Sequence, residues 1–374
     1  MITGLLIGSV VGIILGLIPG FNIGFILLAS LSIPDPQLAC GLIIGIDATS
    51  SGIKAISLLT GNRDEEFPDK LQNNSQPINL VWTNISSYTT GKILGCFIGS
   101  FLILGIGKTA FQITEVHKGL AIAISLGIWI EISRLSKDKK LTVLSLIITS
   151  ILSVLVINLP IEQPMFILVS SLFIGNSLQS LFHYKKIELN STEPTEYIIQ
   201  SWDGILAGLL SSMLWGLPTN AMCRLMDEGE DKPEIVAARG AIADGIASSI
   251  GLAILLCTGG ARSAAASQAA LLNLDFGRWE SVGILGASCV LSLLVYLMFD
   301  NLIKIFIVIH NSLPYVVNIL IVLLTISILT LLSNGWFIII AITSLLTNKL
   351  IRLAGAPKES NLIAIAILPI MNLF

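Results

Sequence analysis

The chain has 374 residues, of which 54% are hydrophobic and only 12% charged, against roughly 25% charged in soluble domains. A mean hydropathy of +0.87 excludes water as the solvent for most of the surface, and since a crossing helix needs about 20 apolar residues, the length allows on the order of ten crossings with no separate soluble domain. The net charge is −3 and the basic residues are scattered, so neither a nucleic-acid footprint nor a polybasic lipid-surface patch is present.

The first apolar segment, 2–33, is superficially like a secretory signal. It lacks a basic N-terminal region and runs past a signal's apolar stretch, so it is expected to remain as structure. Pro19-Gly20 and Asn22 interrupt it. Proline removes a helix hydrogen bond and clashes with the preceding turn, which predicts a break near mid-membrane. Backbone groups freed there are tolerated only where they line a cavity or meet other protein.

The second segment, 37–60, carries Asp47-Ala48-Thr49-Ser50-Ser51-Gly52-Ile53-Lys54 inside an otherwise apolar stretch. An ionisable side chain in a membrane segment is costly unless it faces a cavity or a partner, so Asp47 and Lys54 are functional candidates. Thr49, Ser50 and Ser51 beside Gly52 suit a ligand or close helix packing equally well. The four-residue spacing of Gly4, Gly8, Gly12 and Gly16, with Gly41 and Gly45, is read as architecture that lets helices approach.

Segments 85–106, 118–133, 141–158 and 165–182 follow. Arg134, Lys137, Lys139 and Lys140, and two crossings later Lys185 and Lys186, belong on the cytoplasmic side; the turn 158–164 between them has no basic residue, as an outside loop should. The remaining segments are 203–219, 238–260, 281–299, 314–332, 335–348 and 360–374.

These later segments repeat the earlier ones. At a shift of 200, Gly4, Gly8 and Gly16 fall on Gly204, Gly208 and Gly216; at 199, Gly41, Ser50, Gly52, Gly61 and Arg63 fall on Gly240, Ser249, Gly251, Gly260 and Arg262. Pro218-Thr219-Asn220 then mirrors the first break, and Asp244 with Ser248 and Ser249 mirrors the Asp47 block. Duplicated halves with paired helix breaks are the usual build of secondary transporters, which hold substrate near the midplane. If each half opens with a segment that dips in and returns, Lys349, Arg352 and Lys358 also land inside, which favours inverted repeats with re-entrant first elements.

Lys54 and Arg262 are the cations best placed to attract an anion, together with helix N-termini exposed by the breaks. Arg262 and Arg63 serve equally well as interfacial anchors. Asp47 and Asp244 either couple a proton or sodium gradient to uptake or form structural ion pairs with Lys54 or Arg239. The five cysteines and three histidines show no metal or redox spacing, and no phosphate loop, nucleophile elbow or H-E-x-x-H pattern occurs.

At these residues the chain resembles the large permease subunit of the tripartite tricarboxylate transporters, especially the shorter archaeal-type members. The resemblance lies in the opening glycine run ending at Pro19-Gly20, in GLIIGIDATSSGIKAISLLTG at 41–61, SLFIGNSL at 171–178, ADGIASSIGLAILLCTGGARSAAA at 243–266 and ILPIMNLF at 367–374. It implies ion-driven uptake of small carboxylates, with a small membrane subunit and an extracytoplasmic binding protein as partners. The chain departs from that pattern in its short length, in LPTN at the second break and in its acidic stretch 227–231.

The expected fold is therefore all-α and polytopic, with about 10–12 membrane segments in two pseudo-symmetric, inverted repeats with broken or re-entrant helices. The first repeat spans 1–182, a connecting loop 183–202 and the second repeat 203–374. The expected function is secondary transport of a small organic anion across the cytoplasmic membrane, coupled to H+ or Na+, with no cofactor and no enzymatic step. The partners are membrane lipid, the anionic solute, the accessory subunits implied by the resemblance and a second copy of the chain. The substrate site is assigned to Pro19, Gly20, Asn22, Thr49, Ser50, Ser51, Lys54, Pro218, Thr219, Asn220, Ser248, Ser249 and Arg262, and ion coupling to Asp47 and Asp244. Two alternatives are a flippase for a polyprenyl-phosphate-type lipid carrier and an intramembrane lipid enzyme, the latter having only Asp47, Asp244, Glu131 and Asp300 for its chemistry.

Overall fold

The structure, a computed structural model, describes residues 1–17, 30–53, 55, 56, 59, 77–105, 118–161, 164, 167, 168, 170, 171, 202–213, 219, 222, 223, 232–259, 264–312, 315–356 and 361. Among these the secondary structure is helical without strands. The helices are α1 (Ile2–Gly16), α2 (Pro36–Ile53), α3 (Pro77–Gly105), α4 (Lys118–Leu135), α5 (Lys139–Ile157) and α6 (Trp202–Met213). They continue with α7 (Pro233–Thr258), α8 (Ala264–Ala270), α9 (Arg278–Leu297), α10 (Phe299–Ser312), α11 (Tyr315–Leu332) and α12 (Trp336–Leu353). Five of them, α3, α5, α7, α9 and α12, are long and apolar enough to cross a bilayer. Large apolar side chains such as Val10, Phe97, Phe101, Ile130, Leu155 and Leu331 point outward, a belt suited to lipid because acyl chains solvate them as well as a core would. The chain is a polytopic helical membrane protein.

Small residues decide which helices touch. Gly4, Gly8 and Gly12 of α1 lie against Leu38, Leu42 and Ile46 of α2, while Gly41 and Gly45 of α2 lie against the α1 backbone. Any side chain at these glycines would overlap main-chain atoms, so the seam closes only because the spacing repeats once per turn. Numbers rise together along this seam, so α1 and α2 run parallel. Later in the chain Gly204 and Gly208 of α6 lie against Arg239 and Ala243 of α7, again in parallel. Nineteen residues separate the two helices of each pair.

Two further contacts cross between these pairs. Gly91, Gly95 and Gly99 of α3 pack along Ile242, Ile246 and Ala253 of α7, so those helices are parallel. On the other side Ser292 of α9 donates to Ala48 O of α2 at 2.8 Å, and Val295 lies over Gly52. Ile85 also lies over Gly52, while Cys96 reaches Leu285 O, so α3 and α9 are antiparallel. The core fills the space enclosed by α2, α3, α7 and α9, with Ile43, Ile46, Ile53, Leu80, Ile85, Leu285 and Phe299 fully buried.

A second seam joins α5 to α12. Asp138 caps α5 by accepting from Leu141 N at 3.0 Å, and its own N–H donates to Ala354 O at 3.0 Å. Ser145 Oγ donates to Thr347 O at 3.1 Å, so partner numbers fall as α5 numbers rise and the two helices are antiparallel. Thr149 Oγ1 meets Asn361 Oδ1 at 3.0 Å. The turn at 136–138 and the end of α12 therefore lie at the same end of the bundle.

Three sequence expectations need adjustment. Helix α3 starts at Pro77 and not at 85, and α7 starts at Pro233 and not at 238; proline at a first helical position costs no hydrogen bond, so each marks the true start. Helix α10 lies in a stretch left out of the apolar segments. It buries Phe299, Leu302, Ile303, Phe306 and His310 on one face and exposes Asp300, Asn301 and Lys304 on the other, so its mean hydropathy hides a helix that its periodicity reveals. Lys349 and Arg352 sit on the last turns of α12 instead of in a loop, Arg352 in the final turn where the helix dipole favours cations.

Candidate functional site

Gly245 of α7 sits directly against the backbone of Tyr88 and Lys92 on α3. That close approach puts a lysine against α7 in the middle of a 29-residue apolar helix. Lys92 is 0% exposed. About fifteen residues, or roughly 22 Å of helix, separate it from the start of α3, too far for its side chain to reach an interface. A charge at this depth needs partners, because the low dielectric penalises it heavily when alone.

The partners come from two other helices. Lys92 Nζ donates to Ser248 Oγ of α7 at 2.8 Å, and Ser248 Oγ donates to Asp47 Oδ2 of α2 at 3.2 Å. One hydroxyl thus stands between a cation and an anion, accepting from the first and donating to the second. An ammonium has three N–H donors, and the structure places one of Lys92's on Ser248. One turn before Lys92, Tyr88 is also buried. Its hydroxyl lies beside Ser51 and Ser248 yet meets no hydrogen-bond partner among the described residues. Among the described residues the centre therefore holds donors that are not yet used.

The polar line continues along α7. Asp244 precedes Ser248 by four residues, hence on the same helix face about 6 Å along the axis. It accepts a hydrogen bond from Thr219 Oγ1, so Thr219 is brought to this face. Farther along, Arg239 reaches Asp203 of α6 at 3.6 Å. Beyond Lys92 in the other direction, Cys96 Sγ donates to Ser249 Oγ at 3.4 Å and Ser249 donates to Lys92 O at 3.1 Å, which holds α3 to α7 just past the charged group.

Of the residues assigned from sequence, Asp47 and Ser248 lie at the centre, Ser51 beside Tyr88, and Asp244 with Thr219 one turn away. Thr49 faces α1: its hydroxyl is spent on Gly45 O at 2.9 Å and Ser9 O at 3.2 Å, so it packs the α1–α2 seam. Ser50 is buried, and Ser249 belongs to the α3–α7 seam. Pro19, Gly20, Asn22, Lys54, Pro218, Asn220 and Arg262 lie outside the described residues. Lys92 and Tyr88 are absent from the sequence assignment, although a lysine within an apolar run meets the criterion that selected Asp47. Of the carboxylates considered for lipid chemistry, Glu131 pairs with Arg134 at 2.8 Å on the surface and Asp300 is exposed on α10, away from the two aspartates. No cluster of three metal-binding side chains occurs among the described residues. No family model, curated protein or solved structure matches the chain.

Proposed function

We propose that the protein is a secondary active transporter of a small organic anion of the carboxylate class, working in the cytoplasmic membrane. One observation carries the reading: a fully buried lysine deep in the apolar bundle, joined through Ser248 to Asp47, where helices α2, α3 and α7 meet. Charges are kept at such depth where they mark a substrate or ion path. The donors that Lys92 and Tyr88 leave unpaired among the described residues fit the oxygens of a carboxylate, and the resemblance to tricarboxylate permeases points to the same cargo. By that resemblance a small membrane subunit and an extracytoplasmic binding protein would deliver it.

The reading includes two halves of inverted topology. Helices α1, α2 and α3 correspond to α6, α7 and α9 at the sequence offset, and the antiparallel course of α3 and α9 is what inversion requires. Hairpins α4–α5 and α11–α12 have matching lengths, and α5 and α12 are likewise antiparallel. The shared end of Asp138 and Ala354 sets Arg134 to Lys140 and Lys349 to Arg352 on one side, in keeping with a single cytoplasmic face.

The test is uptake of radiolabelled mono-, di- and tricarboxylates by purified protein in liposomes under imposed proton or sodium gradients. Saturable uptake in the wild type, lost in a correctly folded Lys92→Met variant, is the expected result. Full uptake by that variant ends the assignment of the site, and translocation of a polyprenyl phosphate in place of any carboxylate transfers the site to the lipid-carrier reading.

A further inference from the structure

We propose that Cys96 of α3 and Cys289 of α9 form a redox site, at which a small neutral peroxide converts the two thiols into a disulfide tying the helices together beside Lys92. Both cysteines are unbridged in the structure. Cys96 Sγ is aimed at α9, with Leu285 O at 3.5 Å, and Ser249 Oγ at 3.4 Å fixes it there. Within α9 the carbonyl of Leu285 accepts from the N–H four positions on, which is that of Cys289. The Cys96 sulfur therefore sits against the very turn that carries Cys289, and the two thiols meet there in a hydrogen bond. Gly99, three residues past Cys96, lets the Leu285 side chain close on α3 and keeps the two helices near each other. A disulfide needs its sulfurs brought to about 2.05 Å, and thiols already in contact start close to that geometry.

The chemistry balances with a peroxide as oxidant. Cys289 is half-buried whereas Cys96 is buried, so a peroxide dissolved in the bilayer meets Cys289 first. One peroxide oxygen passes to its sulfur, the O–O bond breaks, and a sulfenic acid and one water result. The Cys96 sulfur then attacks the sulfenic sulfur, the S–O bond breaks, and the hydroxyl leaves with the Cys96 hydrogen as a second water. The thiols lose two electrons and the peroxide gains them.

This site stands apart from the transport reading, which enters only through its consequence. Cys96 follows Lys92 by one turn on the same face of α3, and Cys289 also lies near that lysine. In the transport reading α3 and α9 belong to opposite halves, whose rocking against each other carries the cargo. A covalent tie between them arrests that motion until it is reduced.

The experiment treats wild-type protein in liposomes with hydrogen peroxide, alkylates the remaining thiols after denaturation, and reads the digested chain by mass spectrometry with and without dithiothreitol. A peptide pair joined between Cys96 and Cys289 and split by dithiothreitol is expected, with Cys40, Cys223 and Cys257 taking the alkylating agent. Full alkylation of Cys96 and Cys289 after peroxide overturns the site, as does their oxidation to sulfinic acid without a bridge. A bridge from Cys96 to another cysteine overturns the assignment to Cys289. Uptake of the carboxylate found in the screen above is expected to be lost in the bridged protein, to return with dithiothreitol, and to withstand peroxide in Cys289→Ser. Bridged protein that transports at the untreated rate overturns the arrest, whereas absence of uptake from every untreated sample overturns the transport reading and leaves the peptide measurement to decide the site.

Discussion

Two seams in this bundle are stitched by polar side chains deep in an apolar setting, and they are stitched differently. Around α5 and α12 the stitches are neutral: Ser145 of α5 to Thr347 of α12, Thr149 of α5 to Asn361, and Ser171 to Ser344 of α12, each closed between a hydroxyl and a carbonyl, amide or second hydroxyl. Between α2, α3 and α7 they include a cation and an anion, with a tyrosine hydroxyl left over. Neutral pairs of this kind are modest adhesives in a membrane, worth about 0.6 kcal/mol on average. Full charges cost far more to bury than such adhesion returns, so a fold needing only cohesion would use the first kind throughout. The contrast marks the α2–α3–α7 seam as the working one.

The largest expected effect of breaking that contrast comes from Lys92→Met. It removes one member of a buried charged pair and leaves Asp47 uncompensated, for a loss of about 3–5 kcal/mol in thermal or denaturant unfolding. Adding Asp47→Asn should return much of that stability while transport stays lost, a double-mutant result that separates cohesion from function. Next comes Ser248→Ala, which strips the bridge between the charges; a loss of about 1.5–3 kcal/mol and a fall in uptake are expected. Thr149→Val in the neutral seam should cost about 0.6–1.7 kcal/mol and leave uptake kinetics alone. If it abolished uptake in folded protein, the division between the two seams would collapse. The smallest stability effect belongs to Tyr88→Phe: removing a buried hydroxyl that meets no partner among the described residues should leave unfolding unchanged or slightly improved. Its KM for the carboxylate should nevertheless rise, and equal KM would take Tyr88 out of the site.

How much of this was readable beforehand can be followed residue by residue. Asp47 and Ser248 stand out in sequence because each interrupts an apolar run, and the glycine spacing of α1 and α2 announces their close contact. Lys92 breaks its run too, yet with the segment begun at residue 85 it lies seven residues, about 10 Å, from the helix start, within the range where a long side chain can bend towards the interface. Pro77 as the true start moves it beyond that range, and only then does the lysine need an internal partner. Its pairing with Ser248 spans 156 positions and depends on the rotational phase of two helices, which hydropathy does not encode. At Thr49 the sequence leaves ligand contact and helix packing equally open, and the structure shows packing: its hydroxyl points a different way around the helix from Asp47 and is used on α1.

Ser248 has a single hydrogen to give. It is aimed at Asp47 while the same oxygen takes a hydrogen from Lys92, so the serine is a one-atom relay whose orientation is set by the charges at its two ends, and an alanine there leaves them no common neighbour.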